Sequence, residues 1–126
     1  MKLSDIKSIL KAEVIVGEDK LDIPVLAGTG SDLMSDMLTG PTSGSVLLTG
    51  LNNIQVVRTS VISGVAAVVL VRGKHPSAEM KEHAAEHGLP MLTTPYTMYS
   101  ACGRLYREGL HGVERRPDKV SLEKQS

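Results

Sequence analysis

Gly64-Val65-Ala66-Ala67-Val68-Val69-Leu70-Val71-Arg72-Gly73 is the stretch whose reading decides the fold of this chain. A glycine leads into an unbroken apolar run, which stops at a basic loop. A strand with one wet face would alternate apolar and polar residues, so a continuous run suits a strand covered on both sides. Two neighbours repeat the pattern: Gly44-Ser45-Val46-Leu47-Leu48-Thr49-Gly50 and Gly88-Leu89-Pro90-Met91-Leu92-Thr93-Thr94. After each, a helical pattern begins. The expectation is a single α/β domain with a mostly parallel sheet of about four to five strands and helices on both faces. Right-handed crossovers then bring the three strand ends to one edge, where ligands of open α/β sheets bind.

The flanking segments extend the pattern. Ser4 caps a short helix carrying Ile6, Ile9 and Leu10, and Val14-Ile15-Val16 reads as a strand closed by Gly17. Ile23-Pro24-Val25-Leu26-Ala27 reads as a second strand, placed near an edge by its proline. Gly28-Thr29-Gly30 reads as a turn, with Ser31-Asp32 opening a helix that presents Leu33, Met34, Met37 and Leu38 before Gly40-Pro41 ends it. Asn52 or Asn53 caps the helix after the first unit, with Ile54, Val57, Val61 and Ile62 inward. Pro76-Ser77 opens the next, with Met80, Ala84 and Ala85 inward. Thr94-Pro95 or Thr97 opens the last, with Met98, Ala101, Cys102 and Leu105 on one side. The domain is expected to span residues 1–110, followed by a flexible tail over 111–126.

Composition excludes several function classes. Of 126 residues, 14 are Lys or Arg and 14 are Asp or Glu, so the chain has no net charge to attract nucleic acid or an anionic membrane. Three Tyr with no Phe or Trp leave little for base stacking. The single Cys102 excludes an internal disulfide and a cysteine zinc cluster. With no apolar leader or spanning segment, a cytoplasmic location is expected.

Four places carry possible chemistry. Thr49-Gly50-Leu51-Asn52-Asn53 follows a strand and offers a hydroxyl and amides to a phosphate or a nucleobase edge, although an Asn-capped turn uses the same residues. Arg72-Gly73-Lys74-His75 offers cationic donors straight after a buried strand, where an anion is only partly screened; the bland reading is a solvated strand stop. Thr93 and Thr94 complete that edge. Gly28, Gly30 and Ser31 could cradle a phosphate at a helix start, but Asp32 would repel it, and a capped turn is the favoured reading. His83 and His87 lie four apart on a helix, a spacing able to hold a metal. They lack the Glu arrangement of a zinc-protease helix, and Glu82 and Glu86 mix into the same surface, so no metal site is expected. Cys102, on an apolar stripe with no base beside it, reads as a structural thiol. Arg104, Tyr106 and Arg107 either satisfy helix-end carbonyls or contact a second subunit.

Gly30-Ser31-Asp32-Leu33-Met34-Ser35-Asp36, Leu47-Leu48-Thr49-Gly50-Leu51-Asn52, Val69-Leu70-Val71-Arg72-Gly73-Lys74 and Ala101-Cys102-Gly103-Arg104-Leu105-Tyr106 together resemble the DRTGG domain over about Leu3 to Leu110. That domain is similar to the amino-terminal domain of HPr kinase/phosphorylase. It occurs alone, with CBS domains, or within phosphate acetyltransferases. The resemblance implies an α/β fold, a homodimer and a regulatory or ligand-sensing role without kinase activity. The five residues that name the family do not occur here as one string, and Asn52-Asn53 stands where an acidic and a basic residue are expected.

The expected function is thus a non-catalytic regulatory module that binds a small anionic ligand of nucleotide or phosphate type, or a partner protein, with no cofactor. One alternative is a small phosphoryl- or acyl-transfer enzyme, for which only His75 could serve as general base. The other is a pure interaction subunit of a larger redox or signalling complex.

Overall fold

The computed structural model describes residues 1–113. Its elements are, in chain order, α1 (Leu3–Ile9), β1 (Glu13–Val16), β2 (Ala27–Gly30), α2 (Met34–Met37), β3 (Ser45–Thr49), α3 (Ile54–Ser63), β4 (Ala67–Leu70), α4 (Ala78–Glu86), β5 (Met91–Thr93) and α5 (Met98–Arg107). One sheet takes them in the order β1-β5-β4-β3-β2. β2 through β5 are parallel, and β1 closes the β5 edge antiparallel. The three quoted runs are therefore the sheet's centre.

Side-chain alternation splits each central strand between two cores. Val46, Leu48, Val69, Val71 and Leu92 face Leu3, Ile6 and Leu10 of the α1 region and Ala101 and Leu105 of α5. Leu47, Val68, Leu70 and Met91 face Met37 of α2, Val56 and Val57 of α3, and Met80 and Ala84 of α4. Both faces are covered, as the continuous runs require. Strand order explains the division. From β2 to β5 every crossover steps in one direction, so right-handed connections put α2, α3 and α4 on the same face. The chain then turns over after β5 to lay α5 on the other.

Several local expectations are corrected. Ile23–Leu26 is not a strand; Ala27–Gly30 is, paired in parallel with Ser45–Leu48. The glycines supposed to make a turn thus lie in a strand beside α5, where an added Cβ on Gly30 would sit 3.0 Å from Met98 Sδ and Cys102 Sγ. Glycine is there for close approach rather than for bending. The following helix is only one turn long, and Leu33, not Asp32, occupies its N-cap position. Leu33 and Leu38, expected inward, are exposed.

On α3 the inward face is Val56, Val57, Thr59 and Ser60, while Val61 and Ile62 are exposed, Ile62 at 76%. On α4, Ala85 is exposed. The caps of α3, α4 and α5 are Asn53, Ser77 and Thr97, each accepting from a first-turn amide. At the tail, His111 O accepts from Gly28 N at 2.8 Å and Gly112 pairs with Gly28, so residues 111 and 112 extend the sheet beyond β2. Residues 114–126 of the expected tail lie outside the described residues.

Candidate functional site

The carboxyl ends of β3, β4 and β5 lie side by side, with Thr49 opposite Leu70 and Leu70 opposite Thr93. Thr49, Gly50, Arg72, Gly73, Lys74, Thr93 and Thr94 therefore share one edge, as expected. They are mutually engaged rather than free. Thr49 and Thr94 are fully buried, and Thr93 is 5% exposed. Thr93 Oγ1 donates to Lys74 O at 2.6 Å, and Thr94 Oγ1 donates to Leu10 O at 2.6 Å. Lys74 Nζ donates to Gly50 O at 2.6 Å, tying the β4 loop to the end of β3. Asn53 Oδ1 accepts from Gln55 N as the α3 cap, and Asn52 Nδ2 reaches His75 O at 3.4 Å.

A residue passed over as an expected ligand group holds the corner at β3. Asp32 Oδ1 accepts from Gly50 N at 2.7 Å and from Thr49 Oγ1 at 3.0 Å, while Thr49 Oγ1 in turn accepts from Leu51 N. An amide and a hydroxyl converging on one carboxylate oxygen form an anion cradle, and this one is filled by the chain's own acid. The sequence signal is present in part, since an acid at position 32 repels an anion from the same turn. Its partner is 18 residues away, and no local pattern reveals that pairing.

The loop after β4 is a tight turn. Arg72 and Gly73 both have positive φ, 57° and 69°, and Lys74 N donates back to Val71 O. That is the geometry of a type I′ turn, which suits Gly73 and strains Arg72 by roughly 1 kcal/mol. Arg72 N donates to Tyr96 O and Gly73 N to Thr94 O, so the turn is pinned to the β5 side. Arg72 is exposed, and its guanidinium has no hydrogen bond or ion pair among the described residues. His75 is likewise exposed. It helps line a recess of about 220 Å³ with Lys11, Glu13, Gly73, Thr93, Thr94 and Pro95.

Gly28 and Gly30 lie elsewhere, lining a cavity of about 280 Å³ between β2 and α5 with Thr29, Leu48, Cys102, Leu105 and Tyr106. Ser31 does not line it; its Oγ turns back onto Leu33 N. The Cys102 thiol is half-buried beside this cavity, and burial pushes its pKa up, which suits a structural thiol. Arg104 stacks on Tyr96 at 4.0 Å from the ring centroid. No described helix is long and apolar enough to cross a membrane.

A family model described as the DRTGG domain matches residues 5–107, most of the chain, and the chain belongs to that family. Among solved structures it is similar to the CBS and DRTGG domains of the regulatory region of Clostridium perfringens pyrophosphatase, complexed with the activator diadenosine tetraphosphate. The TM-score is 0.70 at 15% identity, over 99% of this chain and 60% of that one, a likeness of fold. None of the curated proteins compared matches the chain.

Proposed function

We propose that this DRTGG-family chain is a non-catalytic regulatory module that takes a small anion of nucleotide or phosphate type at the carboxyl edge of β3 and β4. The observation that carries the proposal is the Thr49–Gly50 corner, which already holds a carboxylate oxygen on an amide and a hydroxyl. A phosphate oxygen presents the same acceptor geometry with more charge. It would enter by displacing Asp32, with Lys74 beside the corner and the unpaired Arg72 guanidinium on the same loop completing the charge. Diadenosine tetraphosphate, bound by the Clostridium perfringens regulatory region, belongs to the same ligand class.

No nucleophile and base are paired at this edge among the described residues, which favours sensing over turnover. The single cysteine held as a thiol fits a reducing, cytoplasmic setting. Thermal shift and calorimetry against diadenosine tetraphosphate, ATP, acetyl phosphate and coenzyme A test the reading. Stabilisation is expected with at least one of them, and Arg72→Ala is expected to reduce it. The absence of a shift for every anion sinks it.

A second copy is the expected partner. The outer side of α5 carries Tyr99 at 90% and Tyr106 at 62% exposed, with Gly103 between them. Exposed tyrosines flanking a residue without a side chain suit a close helix contact. Sedimentation is expected to show a dimer that Tyr99→Glu dissociates.

A further inference from the structure

A group of side chains at the carboxyl end of α4 belongs to none of this. His83 and His87 are one turn apart, and Glu86 lies on the same end. One ligand atom from each of the three lies within 4.8 Å of the other two. The imidazole rings are nearly parallel, 5° apart with centroids at 6.2 Å. Because α4 runs back against the parallel strands, this end lies at the opposite edge of the sheet from the Thr49–Gly50 corner.

Three features give the group the character of a metal site. The first concerns tautomer. His87 Nδ1 lies 2.9 Å from the His83 backbone oxygen, and a carbonyl can only accept. In the neutral ring this contact places the proton on Nδ1 and leaves the lone pair on Nε2. Metal-bound histidines are oriented in this way by a backbone carbonyl on the other nitrogen. The second is position: His83 is in the last turn and His87 is the C-cap residue, where the helix dipole and its free carbonyls favour positive charge. The third is order. His83-Ala84-Ala85-Glu86-His87 is the reverse of the protease arrangement, the His-x-x-Glu-His form that also places two imidazoles on one helix face.

The charges around the group do not all help. Arg58 shares with His83 and His87 a hollow of about 280 Å³ walled by Val57, Val61 and Ile62. Lys20 lies next to Gly88, its Nζ 3.7 Å from where a Cβ would stand. Both oppose a dication, and Glu86 offsets one of them. Arg58 and Glu86 are exposed and free to move, so the balance turns on the imidazoles.

We propose that His83, Glu86 and His87 form a surface site for a divalent cation of the zinc, nickel and copper class. Two imidazoles and one carboxylate suit these ions over magnesium or calcium, which prefer oxygen alone. Metal–ligand bonds of about 2.1 Å place tetrahedral ligands about 3.4 Å apart, so ligand atoms now within 4.8 Å of one another close in by up to about 1.4 Å. Exposed rotamers reach that without moving the backbone. Water fills the remaining positions.

The test is calorimetric titration of the tag-free full chain with Zn²⁺, in a Cys102→Ser background that removes the competing thiol, with Mg²⁺ as control. One Zn²⁺ per chain is expected, with no Mg²⁺ heat. His83→Ala and His87→Ala should each weaken binding by at least the roughly 10- to 100-fold that loss of an outer partner costs. Arg58→Ala should tighten it. Circular dichroism of each variant separates lost binding from lost fold; His87 is exposed and His83 only partly buried, so unchanged spectra are expected. Absence of Zn²⁺ binding, or binding that survives both histidine substitutions, overturns the proposal. So does phosphate binding that Arg58→Ala abolishes, since that assigns the hollow to an anion.

Discussion

Replacing Asp32 with alanine should destabilise the protein and tighten its hold on anions at the same time. Two bonds are lost, from Gly50 N at 2.7 Å and Thr49 Oγ1 at 3.0 Å. Hydrogen bonds to a charged acceptor are each worth about 1.5–3 kcal/mol when shielded. Asp32 is exposed as a residue and water can enter behind it, so the pair together is placed at about 1.5–3 kcal/mol. For a chain of this size each kcal/mol moves Tm by about 3–5 °C, so the variant should melt about 5–15 °C lower. The same free energy is what an incoming anion must overcome. With the carboxylate holding the corner by that margin, only about 1–10% of molecules have it empty, and apparent affinity falls by that fraction. Asp32→Ala should therefore bind phosphate or ATP about 10- to 100-fold more tightly than the parent. Asp32→Asn keeps the shape with weaker neutral bonds and should fall between. Differential scanning fluorimetry reads the first effect and calorimetry the second. A lower Tm with no gain in anion affinity refutes the corner as the anion site. An unchanged Tm refutes the bonds themselves.

Three further substitutions or conditions test the packing at the edge and between β2 and α5. Thr94→Val should cost about 1–3 kcal/mol, because it strands the buried Leu10 carbonyl that Thr94 Oγ1 satisfies; urea unfolding should show a lower midpoint at an unchanged slope. Gly30→Ala should cost roughly 1 kcal/mol, since its Cβ meets two flexible sulfur atoms at 3.0 Å rather than rigid backbone; a loss several times larger would show that β2 and α5 cannot yield. The raised pKa of Cys102 makes the folded state hold its proton where the unfolded thiol has lost it. Stability must then fall as pH rises through and above the ordinary thiol range, and iodoacetamide should modify the folded thiol more slowly than the urea-unfolded one at pH 8.

How far the sequence reveals this protein depends on what kind of interaction is being read. The three central strands are legible because burial on both faces leaves a mark in every residue of the run, as in Val68-Val69-Leu70. β2 is not, because its sequence, Ala27-Gly28-Thr29-Gly30, has the composition of a turn and is made a strand by β3 on one side and α5 above. On α3, Ile54 and Val57 pack inward as expected, but toward its end the apolar residues mislead: Thr59 and Ser60 are buried where Val61 and Ile62 are not. A contact between small residues and the neighbouring layer decides that helix's rotation, and a hydrophobic count cannot register it. At the edge, the expected residues do converge. What they do there is hidden, since the hydroxyls and the lysine are engaged by partners distant in sequence: Thr94 by Leu10, Lys74 by Gly50, Thr49 by Asp32.

The sheet order gives a reason for that engagement. In doubly wound sheets, a ligand crevice opens where neighbouring strands send their helices to opposite faces. Here only β4 and β5 do so, α4 lying on one face and α5 on the other, and the recess beside Thr93 and Thr94 opens between them; β2, β3 and β4 all send their helices to one face. The ends of β2, β3 and β4 therefore have no gap between diverging connections, and their polar groups must be satisfied from within the chain. Thr93 onto the Lys74 carbonyl and Lys74 onto the Gly50 carbonyl do that work for the loop after β4 and the carbonyl after β3, and both acceptors are neutral oxygens that an anion does not replace. The amide and hydroxyl at the end of β3 differ, because they are satisfied by the carboxylate of Asp32, in the loop that leads into the one-turn α2. The end of β3 is the position along the edge where an external anion can substitute for an internal one without leaving a buried group unpaired. A sensor that uses the end of β3 is thus expected to work by exchange at Asp32 rather than by filling a preformed cleft, and its affinity is set by how firmly that one side chain is held.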